Sequence, residues 1–194
     1  RRVLFRSVAR CERRFRDLVL EQRQTDDVPR EAAARLLARE VAEGRLVLKH
    51  WDAAVEQWII RVNCLRGWMP ELELPAFTAA DRQAVLEQLC LGATSYKEIK
   101  DRAVAPLVRG WLAPAQQQAV EQLAPERLGL PGGRRAKVHY TPDGPPELAA
   151  RIQDLYGVKT GLAVARGRVA VRIAVLAPNQ RPVQVTDNLA GFWA

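Results

Sequence analysis

Through residues 30–123 the apolar positions recur at three- and four-residue spacings, and later they alternate, so the pattern predicts helices followed by strands. Asp26-Asp27-Val28-Pro29 supplies acidic residues and a proline suited to a helix start. The Ala/Leu/Arg/Glu-rich run from Arg30 to Glu43 follows, with Gly44 as its stop. Leu48, Trp51, Val55, Trp58, Ile59, Val62 and Leu65 place an apolar stripe on a second helix, which Trp51 and Trp58 would share. Pro70 and Pro75 mark a connection, and Thr78 with Asp81 resembles a capping pair for a third helix through Leu89, ended by Gly92. Thr94-Ser95 begins a short helix through Lys100, and Ala103 to Leu112 and Pro114 to Leu123 read as two more. Leu107, Val108, Trp111, Val120 and Leu123 are their core candidates, while Gln116, Gln117 and Gln118 suggest a polar face.

Pro/Gly punctuation replaces helical periodicity at Pro125 to Gly133, marking a domain boundary. Ala136, Val138 and Tyr140 then alternate with Lys137 and His139, as in a strand with one buried face. Pro142-Asp143-Gly144 is a turn signal, and Pro145-Pro146 is expected to enter a helix carrying Leu148, Ile152 and Leu155 before Gly157. Val169, Val171, Ile173 and Val175 alternate with Ala170, Arg172 and Ala174, the clearest strand pattern. Pro178-Asn179-Gln180 can turn that strand into another at Val183-Gln184-Val185, and Asp187 can cap a final helical turn with Leu189 and Phe192. Ahead of the helices, Phe15 to Glu21 fits a short strand. The expected fold is α+β: a helical region over 25–127 followed by a small mixed α/β C-terminal domain over 128–194.

Of the 194 residues, 48% are hydrophobic, enough to bury a core in one large or two small domains. Charged or amide side chains interrupt each apolar stretch before the roughly 18 to 20 residues that a membrane span requires, so no membrane partner is expected. Arg1 to Ser7 can be back-translated into the end of a sequencing adapter and is set aside as an artefact. Without Arg1, Arg2 and Arg6, the formal charge falls from +8 to +5. That excess permits attraction to nucleic acid and is equally explained by a solvated basic surface. Cys11, Cys64 and Cys90 have neither zinc-site nor disulfide-framework spacing and read as cytosolic thiols, which suggests a cytoplasmic location. His50 and His139 have no ligand cluster around them and read as structural or surface residues.

Three ordered blocks carry a family resemblance. They are Leu130-Pro131-Gly132-Gly133-Arg134-Arg135-Ala136-Lys137-Val138-His139-Tyr140, the run Pro145 to Gly157 (PPELAARIQDLYG), and the closing run Arg181 to Trp193 (RPVQVTDNLAGFW). Together they resemble the C-terminal region of HrpB-type DEAH-box ATP-dependent helicases. The resemblance implies that residues 8–24 are the remnant of an upstream OB-like domain. It also implies that family members continue past the position of Ala194 into a basic, aromatic tail, so the C-terminal domain is expected to be truncated at its end. The parent it implies hydrolyses ATP and remodels nucleic acid, with RNA the favoured substrate and the motor domains of the same chain as partners.

Phosphoryl transfer needs a phosphate-cradling loop and acidic ligands for Mg²⁺. The sequence contains neither, and Lys159-Thr160-Gly161 is not a Walker A loop. No nucleophile elbow or metal-protease His-Glu spacing is present either. The chain is therefore expected to be non-catalytic and to hold no cofactor, with ATP and Mg²⁺ confined to the motor domains.

Arg134, Arg135 and Lys137, beside an expected strand, form one candidate phosphate-contact group, where Gly132 and Gly133 allow close backbone approach. Arg166, Arg168 and Arg181 form a second, looser group. Solvated turns or structural ion pairs are an equal reading of both. The functional expectation is an accessory helicase region that supports the motor and contacts nucleic acid; the alternative is a protein–protein interaction module that does not touch it. Trp51 and Trp58 could stack on bases, but their spacing reads as core packing.

Overall fold

The computed structural model describes residues 8–15, 18–25, 29–131, 133–158, 161–177 and 182–186, with the backbone alone at 11–15, 18–25 and 182–184. The fold is α+β: helices dominate up to Leu123 and strands follow. The chain divides into two compact units, Arg1–Val55 with Thr78–Val108 and Glu56–Phe77 with Arg109–Ala194.

In the first unit, β1 (Ala9–Phe15) and β2 (Leu18–Thr25) form an antiparallel pair whose register shifts between Arg13 and Arg14. One strand was expected at Phe15–Glu21, but two form. The largely polar stretches on either side pair with each other, a choice that local apolar spacing does not report.

The helix α1 (Arg30–Ala42) forms where its alanines and leucines predict it. Its buried Ala33, Ala34, Leu37 and Ala38 line the side that packs on α3 (Ala79–Cys90), which buries Val85, Leu86, Leu89 and Cys90. Gly44, at φ +75°, ends α1 in a conformation that glycine adopts without strain. Thr78 and Asp81 close the capping box of α3: the Thr78 amide donates to Asp81 Oδ2 at 2.8 Å, and the Asp81 amide donates to Thr78 Oγ1 at 3.4 Å. The short helix α4 (Tyr96–Ile99) is tied down by the Tyr96 hydroxyl, which donates to the Val47 carbonyl at 2.6 Å. Arg102 donates to the carbonyls of Leu89 and Leu91, satisfying the end of α3 that intrahelical bonds leave open, and to that of Glu98 in α4.

The next helix, α2 (Ala53–Trp68), starts later than its apolar stripe suggests. Asp52 accepts from the Ala54 and Val55 amides and fixes the first turn there, so Trp51 precedes the helix instead of sharing its stripe. Val55, Trp58, Ile59, Val62 and Leu65 are buried as expected. After α5 (Ala105–Gly110), α6 (Pro114–Leu123) opens with a proline at its first position, where the missing N–H costs nothing. In the second unit Phe77 meets Trp111 edge-on, with ring centroids 4.9 Å apart.

Also in the second unit are β3 (Arg127–Gly129), β4 (Arg135–His139), β5 (Glu147–Arg151), β6 (Ala163–Val164), β7 (Val169–Ala170), β8 (Arg172–Leu176) and β9 (Pro182–Thr186). Five of them form a mixed sheet in the order β3-β4-β5-β8-β9, in which only the β5–β8 pair is parallel. The segment β5 corrects the helix expected after Pro145-Pro146. Leu148 and Ala150 are buried while Ala149 and Arg151 are exposed, a period of two that lets both edges of the segment pair with neighbouring strands. Only Ile152–Leu155 curls, as a single 3₁₀ turn. Pairing overrides the helical preference of Glu-Leu-Ala-Ala-Arg. The strand β3 also forms inside the stretch read as punctuation, because Arg127–Gly129 has β4 to pair with. The final turn expected at Asp187, Leu189 and Phe192 lies outside the described residues.

Val138, Leu148, Ala150, Ile173 and Val175 bury one face of this sheet. From α2, two side-chain amides bind backbone groups as a neighbouring strand would. Gln57 accepts from the Tyr140 amide at 2.9 Å and donates to the Tyr140 carbonyl at 3.0 Å, and Asn63 does the same to Phe77 at 2.8 and 3.0 Å. Buried Tyr140 donates its hydroxyl to the Pro125 carbonyl at 2.7 Å, and burial pushes its phenol pKa up. No helix among the described residues is long and apolar enough to cross a membrane.

Candidate nucleic-acid interface

The strand β4 sorts its residues by the pleat: Val138 is buried, while Arg135, Lys137 and His139 are exposed on the opposite face. Antiparallel pairing sets Arg127 of β3 directly beside Lys137, and Gly129 beside Arg135. Directly opposed side chains lie about 5 Å apart at Cβ. Three cations therefore crowd one edge of the sheet, and none of them has a hydrogen-bonding or ionic partner among the described residues. Like charges in this arrangement repel mildly, so the cluster contributes nothing to the fold.

Arg134 does not join that group. Its guanidinium pairs with Asp154, with Nη1 3.2 Å from Oδ1, and so fastens the turn before β4 to the 3₁₀ turn after β5. Of the second expected group, Arg168 is occupied as well: Nη1 donates to the Trp68 carbonyl at 3.3 Å, and Nη2 lies 2.6 Å from Glu71 Oε1. That hydrogen bond holds the Glu71 carboxyl below its usual pKa. Arg166 is exposed at the tip of a left-handed turn in which Ala165, Arg166 and Gly167 have φ of 52°, 56° and 84°. Arg181 lies outside the described residues, as does Gly132.

Sequence reading missed Arg127, because it sits in a stretch that resembles a linker. It also missed Arg151, which reads as helical but occupies an exposed position at the end of β5. The polar–apolar alternation at Arg127-Leu128 was the available clue, and the structure half-buries Leu128 between exposed neighbours.

Other chemistry has little footing among the described residues. No group of three or more His, Cys, Asp or Glu is placed to hold a metal ion. Cys64 and Cys90 are buried, and burial pushes each thiol up to about 11, so neither is a thiolate nucleophile near neutral pH. A cavity of about 430 Å³ lies between α2 and the Pro142–Pro145 turn, lined by Asn63, Cys64, Trp68 and Asp143 among others. Its Asn63 amide is already taken up by Phe77, and its Cys64 thiol by the Thr141 carbonyl at 3.3 Å. Trp58 is buried beneath the guanidinium groups of Arg61 and Arg109, at 5.2 and 4.8 Å from its ring, and is core, not a base platform.

A family model described as ATP-dependent helicase C-terminal (HrpB_C) matches residues 85–194. The chain belongs to that family. The ATP-dependent RNA helicase HrpB of Escherichia coli (strain K12) is 34% identical over 152 residues, which cover 76% of this chain and 19% of the relative. A crystal structure of the E. coli DExH-box NTPase HrpB superposes with a TM-score of 0.77 and 27% identity, over 91% of this chain and 22% of that one. A second crystal structure, of the E. coli DEAH/RHA helicase HrpB, gives a TM-score of 0.73 over 100% of this chain and 26% of that one, and at 24% identity it supports the fold alone. The chain therefore spans about a fifth to a quarter of the length of these relatives. The resemblance carried by the three sequence blocks is thus family membership, and in the matched helicases this region is part of one longer polypeptide.

Proposed function

We propose that this chain serves as the accessory C-terminal region of an ATP-dependent RNA helicase, supporting the motor and holding a nucleic-acid strand against it. The observation that carries the reading is the exposed pair Arg135 and Lys137 on one sheet face, with Arg127 beside Lys137 and no acidic partner for any of the three among the described residues. Cations left unpaired by the fold can neutralise phosphates at little structural cost, and such contacts position a strand without reading its sequence. The phosphate chemistry of ATP hydrolysis, with its Mg²⁺, belongs in this reading to motor domains outside the chain. Family membership supports the assignment, because the related E. coli protein is an ATP-dependent RNA helicase.

The experiment is binding of the 194-residue chain to a fluorescent single-stranded RNA across a salt series, with unchanged circular dichroism as the folding control. Replacing Arg135 and Lys137 together by Gln should flatten the salt dependence by about 1.4 in log–log slope, at roughly 0.7 for each phosphate no longer neutralised. A folded chain that binds no RNA at low salt would favour the protein–protein module instead.

A further inference from the structure

The contact surface extends beyond the edge of the sheet. The register Val138–Leu148 and His139–Glu147 joins β4 to β5, with Lys137 one residue beyond the paired stretch on β4 and Arg151 three residues beyond it on β5. On the other side of β5, Ala149 pairs with Ala174 and Arg151 with Leu176. The outward positions of β3, β4, β5 and β8 are therefore Arg127 and Gly129; Arg135, Lys137 and His139; Glu147, Ala149 and Arg151; and Arg172, Ala174 and Leu176. Five of these are Arg or Lys and one is acidic. That one, Glu147, is engaged by Arg172, with Nη1 3.2 Å from Oε1. Arg127, Arg135, Lys137 and Arg151 remain without partners among the described residues.

We infer that the open face of this sheet is a track for the phosphodiester backbone of a single nucleic-acid strand, with Arg127 and Arg151 as contacts alongside Arg135 and Lys137. The inference rests on the functional reading above and adds two residues and a mode of recognition to it. Charge complementarity selects the occupant: four free cations surround the small Gly129 and Ala149, so the surface has low relief and a backbone can approach it closely. Arg135 and Lys137 are about 7 Å apart along the strand, and neighbouring strands about 4.8 Å apart, so the four side chains offer phosphates more than one line across the face. Tyr, Trp and Phe are missing from these outward positions and His139 is the one ring among them, so base stacking has little footing on the track. Recognition is then electrostatic and indifferent to base identity.

The test uses the whole chain and labelled single-stranded 20-mers of mixed, pyrimidine-rich and purine-rich sequence. Arg127→Gln with Arg151→Gln should weaken binding about tenfold at low salt and lower the slope by about 1.4. Arg127→Lys with Arg151→Lys should restore both, which separates charge from folding, and the three oligonucleotides should bind within about threefold of one another. Unchanged affinity and slope in the Gln pair, with the Arg135→Gln and Lys137→Gln pair still impaired, would confine the contact to β4 and overturn the track while leaving the functional reading intact. If neither pair changes binding, the functional reading fails with it. Competition by polyglutamate as effective per charge as the oligonucleotide would also overturn the track, in favour of an acidic protein surface.

Discussion

Arg61 on α2 and Arg135 on β4 are the same side chain in two regions of the second unit, and their surroundings differ completely. Arg61 is 3% exposed; its Nε donates to the Ala124 carbonyl at 2.5 Å, its Nη2 reaches Glu121 at 2.7 Å, and its plane lies over Trp58. Arg135 is exposed, has no partner among the described residues, and stands beside another cation. A buried guanidinium must be fully engaged because desolvation is costly, whereas an exposed one is left free at little cost. The inner side of α2 therefore spends its polar groups on the fold, whereas on the open face of the sheet only Arg172 is paired, with Glu147, and Arg127, Arg135, Lys137 and Arg151 have no partner among the described residues. Net charge cannot distinguish the two; only the partners of each cation can.

The largest test of this contrast is Arg61→Met. It leaves the Ala124 carbonyl unpaired in the core and should cost about 3 kcal/mol in urea unfolding, while exposed Glu121 keeps water and Arg109, 3.4 Å away. A loss under about 1 kcal/mol would erase the distinction between the two arginines.

Gln57→Leu should cost roughly 2 kcal/mol by stripping both partners from the Tyr140 backbone. Gln57→Glu keeps the acceptor but sets a carboxylate oxygen against the Tyr140 carbonyl, so a cost at least as large at neutral pH in the same unfolding assay would sharpen the comparison. Arg166→Gly should move the other way. It relieves a left-handed arginine and should raise stability by about 0.5–1 kcal/mol in thermal melts, and destabilisation would mean that this side chain serves the fold. The smallest expected change belongs to the open face: Arg135→Gln with Lys137→Gln should shift stability by less than about 0.5 kcal/mol while weakening RNA binding. A large stability loss there would make those cations structural.

Legibility in the sequence follows the range of the interactions involved. The Thr78–Asp81 box, the start of α6 at Pro114 and the alternation of Ile173 and Val175 depend on neighbours within a few residues and are readable, whereas the break at Val171 that sends Val169–Ala170 to pair with β6 is not. The strand at Glu147–Arg151 depends on β8, some 25 residues away, and reads locally as helix. The candidate site behaves the same way. Arg135 and Lys137 fall on one face by strand period alone, whereas Asp154 takes up Arg134, Glu71 takes up Arg168, and pairing with β4 brings in Arg127.

By itself, then, the sequence determined the α+β class, most helix boundaries, the family and the lack of phosphate-transfer motifs, because composition, local periodicity and short motifs are written in contiguous residues. Tertiary structure alone decided which cations are consumed by carboxylates and carbonyls and which share an open face, because those partners are brought together across distant segments by strand register and burial.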